Sequence, residues 1–333
     1  MPAVQDIVRA YPQAQIDWVV ERAFAPLVRR CAGVNRVIAC ELRRWRKSPL
    51  SGQTRQAWRA FKTELQRERY DAVIDLQGLS KSALISWLAQ LAPHGKRYGL
   101  ANQTDGSSFE APARWVADVP IELPAHSHAV ARSRELCARA LGYNQDGFES
   151  FGLLALVNKA SLATENIAVQ ADCPKGVVAL VHGTSRADKQ WPLAHWHALG
   201  QRLNDSGFVV ALPHGSDVEF YEAQQIASGL AHAVVWPRLA LDTLTDALAA
   251  CAGVVGVDSG LSHIAVALDL PHVQIYNFDT AWRTGPSFDE RQAGARQRSV
   301  FAPPTPTVDA VWRAWQLVSD AASKVESTPV TPP

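Results

Sequence analysis

Two short segments of this chain carry side chains suited to holding a phosphorylated ligand. The first is Val181-His-Gly-Thr-Ser-Arg-Ala-Asp-Lys-Gln-Trp-Pro192. It offers two hydroxyls, Thr184 and Ser185, and two cations, Arg186 and Lys189. Hydroxyl and backbone donors suit phosphate oxygens, and a lysine adds a point charge. The bland alternative is a solvated loop with Trp191 as a packing anchor. The second segment is Val257-Asp-Ser-Gly-Leu-Ser-His-Ile264. Gly260 lets a backbone approach a ligand closely. The N–H groups of Ser259 and Gly260, at a helix N-terminus, can face a phosphate. Asp258 would also serve as a helix N-cap, a role compatible with ligand contact.

Charge elsewhere is uneven. Glu219, after Leu212-Pro-His-Gly-Ser216, is a first-turn glutamate that favours the helix dipole. Between Arg29 and Arg69, twelve Lys/Arg stand against three Glu, a local excess of +9. Arg43, Arg44, Arg46 and Lys47 are its densest part, and Arg132 and Lys81 are further cations of interest. A solvated face is the default reading of such a run. Arginine forks also suit phosphates and carboxylates. Trp45 and Trp58 lie among these arginines and are candidates to line a sugar or lipid site. No residues have metal-ligand spacing, and no Gly-x-Gly-x-x-Gly fingerprint is present.

The elements that must position these residues alternate. Strands are expected over 15–20, 36–40, 72–76 and 97–100, then over 176–181, 208–212, 233–236, 253–257 and 273–276. Helices are expected over 24–31, 55–68, 80–91 and 126–141, then over 193–206, 217–230, 241–251 and 261–268. Alternating strands and helices argue for parallel α/β architecture. A polar loop between strand and helix is where such sheets bind ligands. Pro192 is a favoured first helical residue, and Gly207 and Gly229 lie where helix ends need left-handed residues. The chain of 333 residues suffices for two domains, with 47% hydrophobic and 20% charged content. A net charge of +1 gives no global attraction to nucleic acid. Five irregularly spaced cysteines, at 31, 40, 137, 173 and 251, argue against a disulfide framework and fit a reducing cytoplasm. No apolar run approaches the roughly 18 residues of a membrane helix. The first ten residues read as a helix with Pro2 in its first turn, although a doubly wound domain normally starts with a central strand.

Together with Ile16-Asp-Trp-Val-Val-Glu21, Arg43-Arg-Trp-Arg-Lys47 and Tyr70-Asp-Ala-Val-Ile-Asp-Leu-Gln-Gly78, the two phosphate-suited segments resemble the lipopolysaccharide heptosyltransferases of glycosyltransferase family 9, type I. The resemblance implies a GT-B α/β fold, two Rossmann-like domains facing across a cleft. It implies an acceptor domain over 1–150 and a donor domain over 171–305. A helix over 306–325 would pack back on the first domain, and a tail over 326–333 would be disordered. The implied activity is inverting and metal-independent, with no cofactor. Heptose moves from ADP-L-glycero-D-manno-heptose to Kdo2–lipid A in lipopolysaccharide core biosynthesis, at the cytoplasmic periphery of the inner membrane.

The implied catalytic residues are Lys189 and Asp258. Thr184, Ser185, Lys189, Glu219, Leu239, Asp258, Ser259, Gly260 and His263 would bind the donor. Arg43, Arg44, Arg46, Lys47 and Arg132 would meet the polyanionic acceptor or an anionic membrane surface. Asn277-Phe-Asp279 departs from the family's more common Gly-Pro-Thr, which leaves phosphate contact at that loop open. Met1-Pro2-Ala3 matches the start of the family's first helix. The expectation is therefore that the family's first strand, and the Asp that serves as general base, precede Met1. A related heptosyltransferase with another acceptor, or a catalytically impaired nucleotide-sugar-binding homologue, are the alternatives.

Overall fold

The computed structural model describes residues 1–145, 147, 150–154, 175–286 and 296–326. The chain divides into two compact units, Met1–Leu154 and Ala155–Pro333.

The first unit contains α1 (Pro2–Ala10), β1 (Ile16–Glu21), α2 (Ala25–Val28), β2 (Val34–Cys40), α3 (Leu42–Lys47), α4 (Gly52–Leu65), β3 (Arg69–Asp75), α5 (Ser80–Leu88), β4 (Gln90–Leu100), α6 (Ala111–Val116), β5 (Val119–Ile121) and α7 (Ala129–Leu141). Ser51 caps α4, accepting from Thr54 N at 3.1 Å. The strands form two parallel sheets, β1–β2 and β3–β4–β5. Polar contacts tie these pieces together. Tyr70 Oη on β3 donates to Asp17 Oδ2 on β1 at 2.9 Å, and Arg36 on β2 donates to the same carboxylate. Arg134 on α7 holds Asp6 on α1 through two bonds, at 2.6 and 3.0 Å, with both side chains buried. Removing one partner of such a pair costs about 3–5 kcal/mol because a buried charge is left alone.

The second unit contains β6 (Val177–Val181), α8 (Leu193–Asp205), β7 (Val209–Leu212), α9 (Asp217–Ala227), β8 (Ala233–Val235), α10 (Leu241–Ala249), β9 (Gly253–Val257), α11 (Gly260–Ala267), β10 (His272–Tyr276), α12 (Ala281–Thr284), β11 (Gln297–Phe301) and α13 (Val308–Glu326). Six parallel strands form one sheet in the order β11-β10-β9-β6-β7-β8. Every residue of β6, β7, β9 and β10 is buried, which is why these strands read as unbroken apolar runs. Trp196 and Trp315 pack in the same core. Gly256 on β9 is required by close approach: a Cβ there would lie 2.4 Å from Ser262 Oγ.

Several expectations change. Residues 90 and 91, read as the end of a helix, open the long strand β4. Strands β5 and β11 were not expected from the sequence. The basic run at 42–47 is itself a helix, α3. Trp45 is buried against Phe61, and its ring meets Trp58 edge-on at 5.5 Å. These aromatics anchor α3 rather than line a ligand site. Pro192 is the N-cap of α8, not its first residue. Gly207 and Gly229 do adopt positive φ, at 86° and 84°. Within its own unit, α13 packs on β10, β11 and α8. Cys31, Cys40, Cys137 and Cys251 are buried free thiols. Cys173 and the tail beyond Glu326 lie outside the described residues.

Candidate active site

The strand order of the second unit brings the two phosphate-suited segments together. The chain runs from β6 outward through β7 and β8, then returns to β9 and runs the other way through β10 and β11. The loops leaving β6 and β9 therefore diverge to either side of one switch point, the place where open parallel sheets bind ligands. Val181, last in β6, pairs with Gly256 in β9, so both loops leave the sheet at one level.

Lys189 and Asp258 meet there. Lys189 Nζ donates to Asp258 Oδ2 at 2.6 Å, with the side chains 21% and 6% exposed. Thr184 Oγ1 donates to Asp258 O at 3.4 Å. The other carboxylate oxygen, Oδ1, lies 3.5 Å from His263 Nε2 and 3.4 Å from Thr284 Oγ1. Burial works against ionising Asp258. Hydrogen bonds from His263 and Lys189, and the charge of Lys189, outweigh it and hold the carboxyl at about 2. The group is a carboxylate at any physiological pH. Ser259, not Asp258, is the N-cap of α11, and its Oγ is buried with no hydrogen-bond partner among the described residues. A Cβ on Gly260 would meet no described atom within 4 Å, so the approach to that helix N-terminus is open.

The nearby loop after β7 is stitched to the first segment. His182 is buried and its Nε2 lies 3.0 Å from Glu219 O, consistent with an orienting role for this histidine. Glu219 Oε2 accepts from Gly215 N at 2.6 Å. A Cβ on Gly183 would lie 2.7 Å from the Glu219 carboxyl, so a larger residue there would push that carboxyl aside. Ser216 caps α9, and Glu219 stands in the first turn of that helix as expected. Leu239 lies half-buried in the loop between β8 and α10, and Ser185 is exposed. Trp191 is buried, with Nε1 donating to Pro306 O at 2.8 Å. It is the packing anchor of that loop, in which Ser185 and Arg186 are exposed.

Three residues at the site were given no role by the sequence reading. Asn277 bonds to the Lys189 loop, with Nδ2 donating to Asp188 O and Gln190 O. Thr284 reaches Asp258, and buried Tyr276 Oη lies 3.3 Å from Thr284 Oγ1. The only available signal was their position at or beyond the end of β10, whose neighbour β9 ends at Val257, next to Asp258.

The basic residues of the first unit are placed differently. Arg43, Arg44, Arg46 and Lys47 are all exposed on α3, and Arg44 pairs with Glu41 at 3.1 Å. Lys81 is exposed in the first turn of α5. Arg132, on α7, donates to Thr104 Oγ1 at 2.9 Å and holds a loop. Among the described residues no group of His, Cys, Asp or Glu is arranged to hold a metal, and no helix is long and apolar enough to cross a membrane.

Residues 58–300 match glycosyltransferase family 9 (heptosyltransferase). The chain belongs to that family. It is 38% identical to lipopolysaccharide heptosyltransferase 1 of Escherichia coli K12 over 277 residues, covering 83% of this chain and 82% of that protein. It is 38% identical to the protein of the same name from Pseudomonas aeruginosa, over 83% of this chain and 74% of the other. The solved structure of E. coli heptosyltransferase WaaC with ADP superposes with a TM-score of 0.79 at 32% identity, covering 96% of this chain and 94% of that one. The family's GT-B fold and glycosyltransferase activity are those of this chain.

Proposed function

We propose that this enzyme transfers heptose from ADP-L-glycero-D-manno-heptose to Kdo2–lipid A, with inversion, in the assembly of the lipopolysaccharide core. The observation that carries the reading is the Lys189–Asp258 pair, set at the switch point of a parallel sheet beside the open N-terminus of α11. The donor's diphosphate lies against Lys189, Thr184, Ser185 and the N–H groups of Ser259 and Gly260, where the helix dipole adds to the lysine's charge. His263 meets the phosphate. Glu219 holds the ribose hydroxyls with its second oxygen, and Leu239 covers the adenine face. Asp258, permanently ionised, accepts from heptose hydroxyls.

As the acceptor hydroxyl attacks the anomeric carbon from the face opposite ADP, its proton must pass to a general base, a role the family resemblance gives to the Asp of the loop after the family's first strand. The bond to the diphosphate breaks, and Lys189 stabilises the charge that develops there. The acceptor is a polyanion, and the exposed cations Arg43, Arg44, Arg46 and Lys47 suit its phosphates and carboxylates. Arg132 assists from α7. The same cations hold the enzyme at the anionic cytoplasmic face of the inner membrane without insertion. The greater identity to heptosyltransferases of type 1, 38% against 29% for type 2 of E. coli K12, supports this choice of acceptor.

The test is to incubate the chain with ADP-heptose and Kdo2–lipid A and to follow ADP release and product mass. Heptosylated lipid with inverted anomeric configuration is expected. Donor binding without transfer would make the chain a nucleotide-sugar-binding homologue. Transfer only to an acceptor that already bears heptose would select the other acceptor class.

A further inference from the structure

Asn277 directly follows β10. Every polar atom of its side chain is engaged. Nδ2 donates to Asp188 O at 3.0 Å and to Gln190 O at 2.9 Å. Oδ1 accepts from Thr305 Oγ1 at 2.8 Å. Backbone carbonyls only accept, so the NH2 must face them and the orientation of the amide is fixed by its partners. The two carbonyls belong to the residues on either side of Lys189.

That placement matters because the turn carrying Lys189 is short, although Trp191 anchors the loop two residues further on. Lys189 ends a single 3-10 turn, Ala187–Lys189, closed by bonds from Lys189 N to Arg186 O and from Gln190 N to Ala187 O, each 3.1 Å. Hydrogen bonds of that geometry are poor, and so short a turn holds its shape only when something else braces it. The ammonium must nonetheless stay 2.6 Å from Asp258 Oδ2, across 69 residues of sequence. The brace is the Asn277 amide, itself rooted at the end of a fully buried strand and steadied by Thr305 from the chain after β11.

We propose that Asn277 is a positioning residue for Lys189. It clamps the carbonyls of Asp188 and Gln190 and so fixes the turn from which Lys189 reaches Asp258 and the donor diphosphate, while Thr305 sets the orientation of the amide. The inference rests on the donor-site reading above. A lysine on an unclamped turn would sample many positions, and preorganised charge is what makes such a group effective in transfer.

The test is a double-mutant cycle in the full chain between Asn277→Asp and Lys189→Ala. It is read as kcat/KM for heptose transfer from ADP-heptose, with calorimetry of ADP and ADP-heptose alongside. Asn277→Asp keeps the size of the side chain and turns an oxygen towards two carbonyls. Losing two bonds of ordinary strength should lower kcat/KM by about tenfold. In the Lys189→Ala background the same change should cost less than about twofold, because its effect runs through the lysine. Thr305→Val should lower kcat/KM by about threefold, and Thr305→Ser should restore it, since only the hydroxyl bond is involved. Wild-type kcat/KM in Asn277→Asp, or full additivity with Lys189→Ala, overturns the proposal. If Asn277→Asp does not fold, the cycle between Thr305→Val and Lys189→Ala decides by the same criterion. Should the unaltered chain neither bind ADP-heptose nor transfer heptose, the donor-site reading falls and this inference with it. Tight donor binding that is indifferent to Asn277 and Thr305 sinks the inference alone.

Discussion

Lys189 and the cations of α3 carry the same charge in opposite settings. Lys189 is mostly buried, bonded to one carboxylate oxygen and held by a loop that Asn277 clamps. Arg43, Arg44, Arg46 and Lys47 stand in solvent on one short helix, anchored by the buried ring of Trp45 between them. A charge held in place acts on one atom at one moment and is weakly screened. A cluster of mobile surface charges acts as a field, which salt weakens within about 8–10 Å. The first arrangement suits a leaving group in a transition state. The second suits the capture of a multiply charged acceptor or an anionic surface.

The contrast breaks most easily at Lys189. Lys189→Ala should reduce turnover by about 100- to 1,000-fold, the usual loss for one preorganised donor. That loss should depend little on ionic strength. A loss that salt shifts strongly would put Lys189 in the same class as the α3 cations.

Acid titration sharpens the buried side of the comparison. The Asp258 carboxyl is held at about 2 when folded, below its ordinary value of 3.8. A depressed carboxylate stabilises the folded state above its unfolded value. Its contribution, at most about 2 kcal/mol, is lost as pH falls from about 4 to about 2. Asp258→Asn should therefore flatten the acid limb of unfolding free energy against pH, measured by urea titration. An unchanged slope would mean that the Lys189–Asp258 pair is weaker in solution than its geometry implies.

Charge reversal of Arg43, Arg44 and Lys47 together should raise the acceptor KM by about tenfold at low salt, as expected for rim charges that steer a partner. Added salt should shrink the difference, and ADP affinity should stay nearly constant because the proposed ADP contacts lie in the second unit. A large loss of ADP affinity would assign the patch to folding instead.

The smallest effect is expected at Thr284. Its contact with Asp258 Oδ1 is long, at 3.4 Å. Thr284→Val should weaken ADP-heptose binding by about threefold and leave ADP binding unchanged, the cost of one modest hydrogen bond. Tyr276→Phe should add little to it, since the tyrosine reaches Asp258 only through Thr284. Equal losses for ADP and ADP-heptose would show that the hydroxyls serve the fold of the loop alone.

Much of the second unit was legible because its signals are local. An apolar run long enough for a buried strand, a polar loop and an amphipathic helix recur, and each can be read within about fifteen residues. Val177–Val181 and Gly253–Val257 stood out because strands buried on both faces need side chains that are apolar throughout. The two ligand loops were legible for the same reason, each being one continuous stretch at a strand end. The first unit was harder to read. β4 begins with Gln90-Leu91-Ala92-Pro93, a stretch with no alternation to mark it, and half-buried strands such as β1 give weaker patterns than buried ones.

Sequence alone determined the residue types of the donor loops, the parallel α/β class and the basic run, because these depend on neighbours a few positions apart. Only the tertiary structure decided that Lys189 meets Asp258, that Asn277 braces the turn between Asp188 and Gln190, that Thr284 touches Asp258, and that Trp45 and Trp58 pack inward. The physical reason is the sheet. Placing β9 beside β6 and β10 beside β9 brings segments dozens of residues apart to one edge, and hydrogen bonding between non-adjacent strands leaves no periodic trace in the chain.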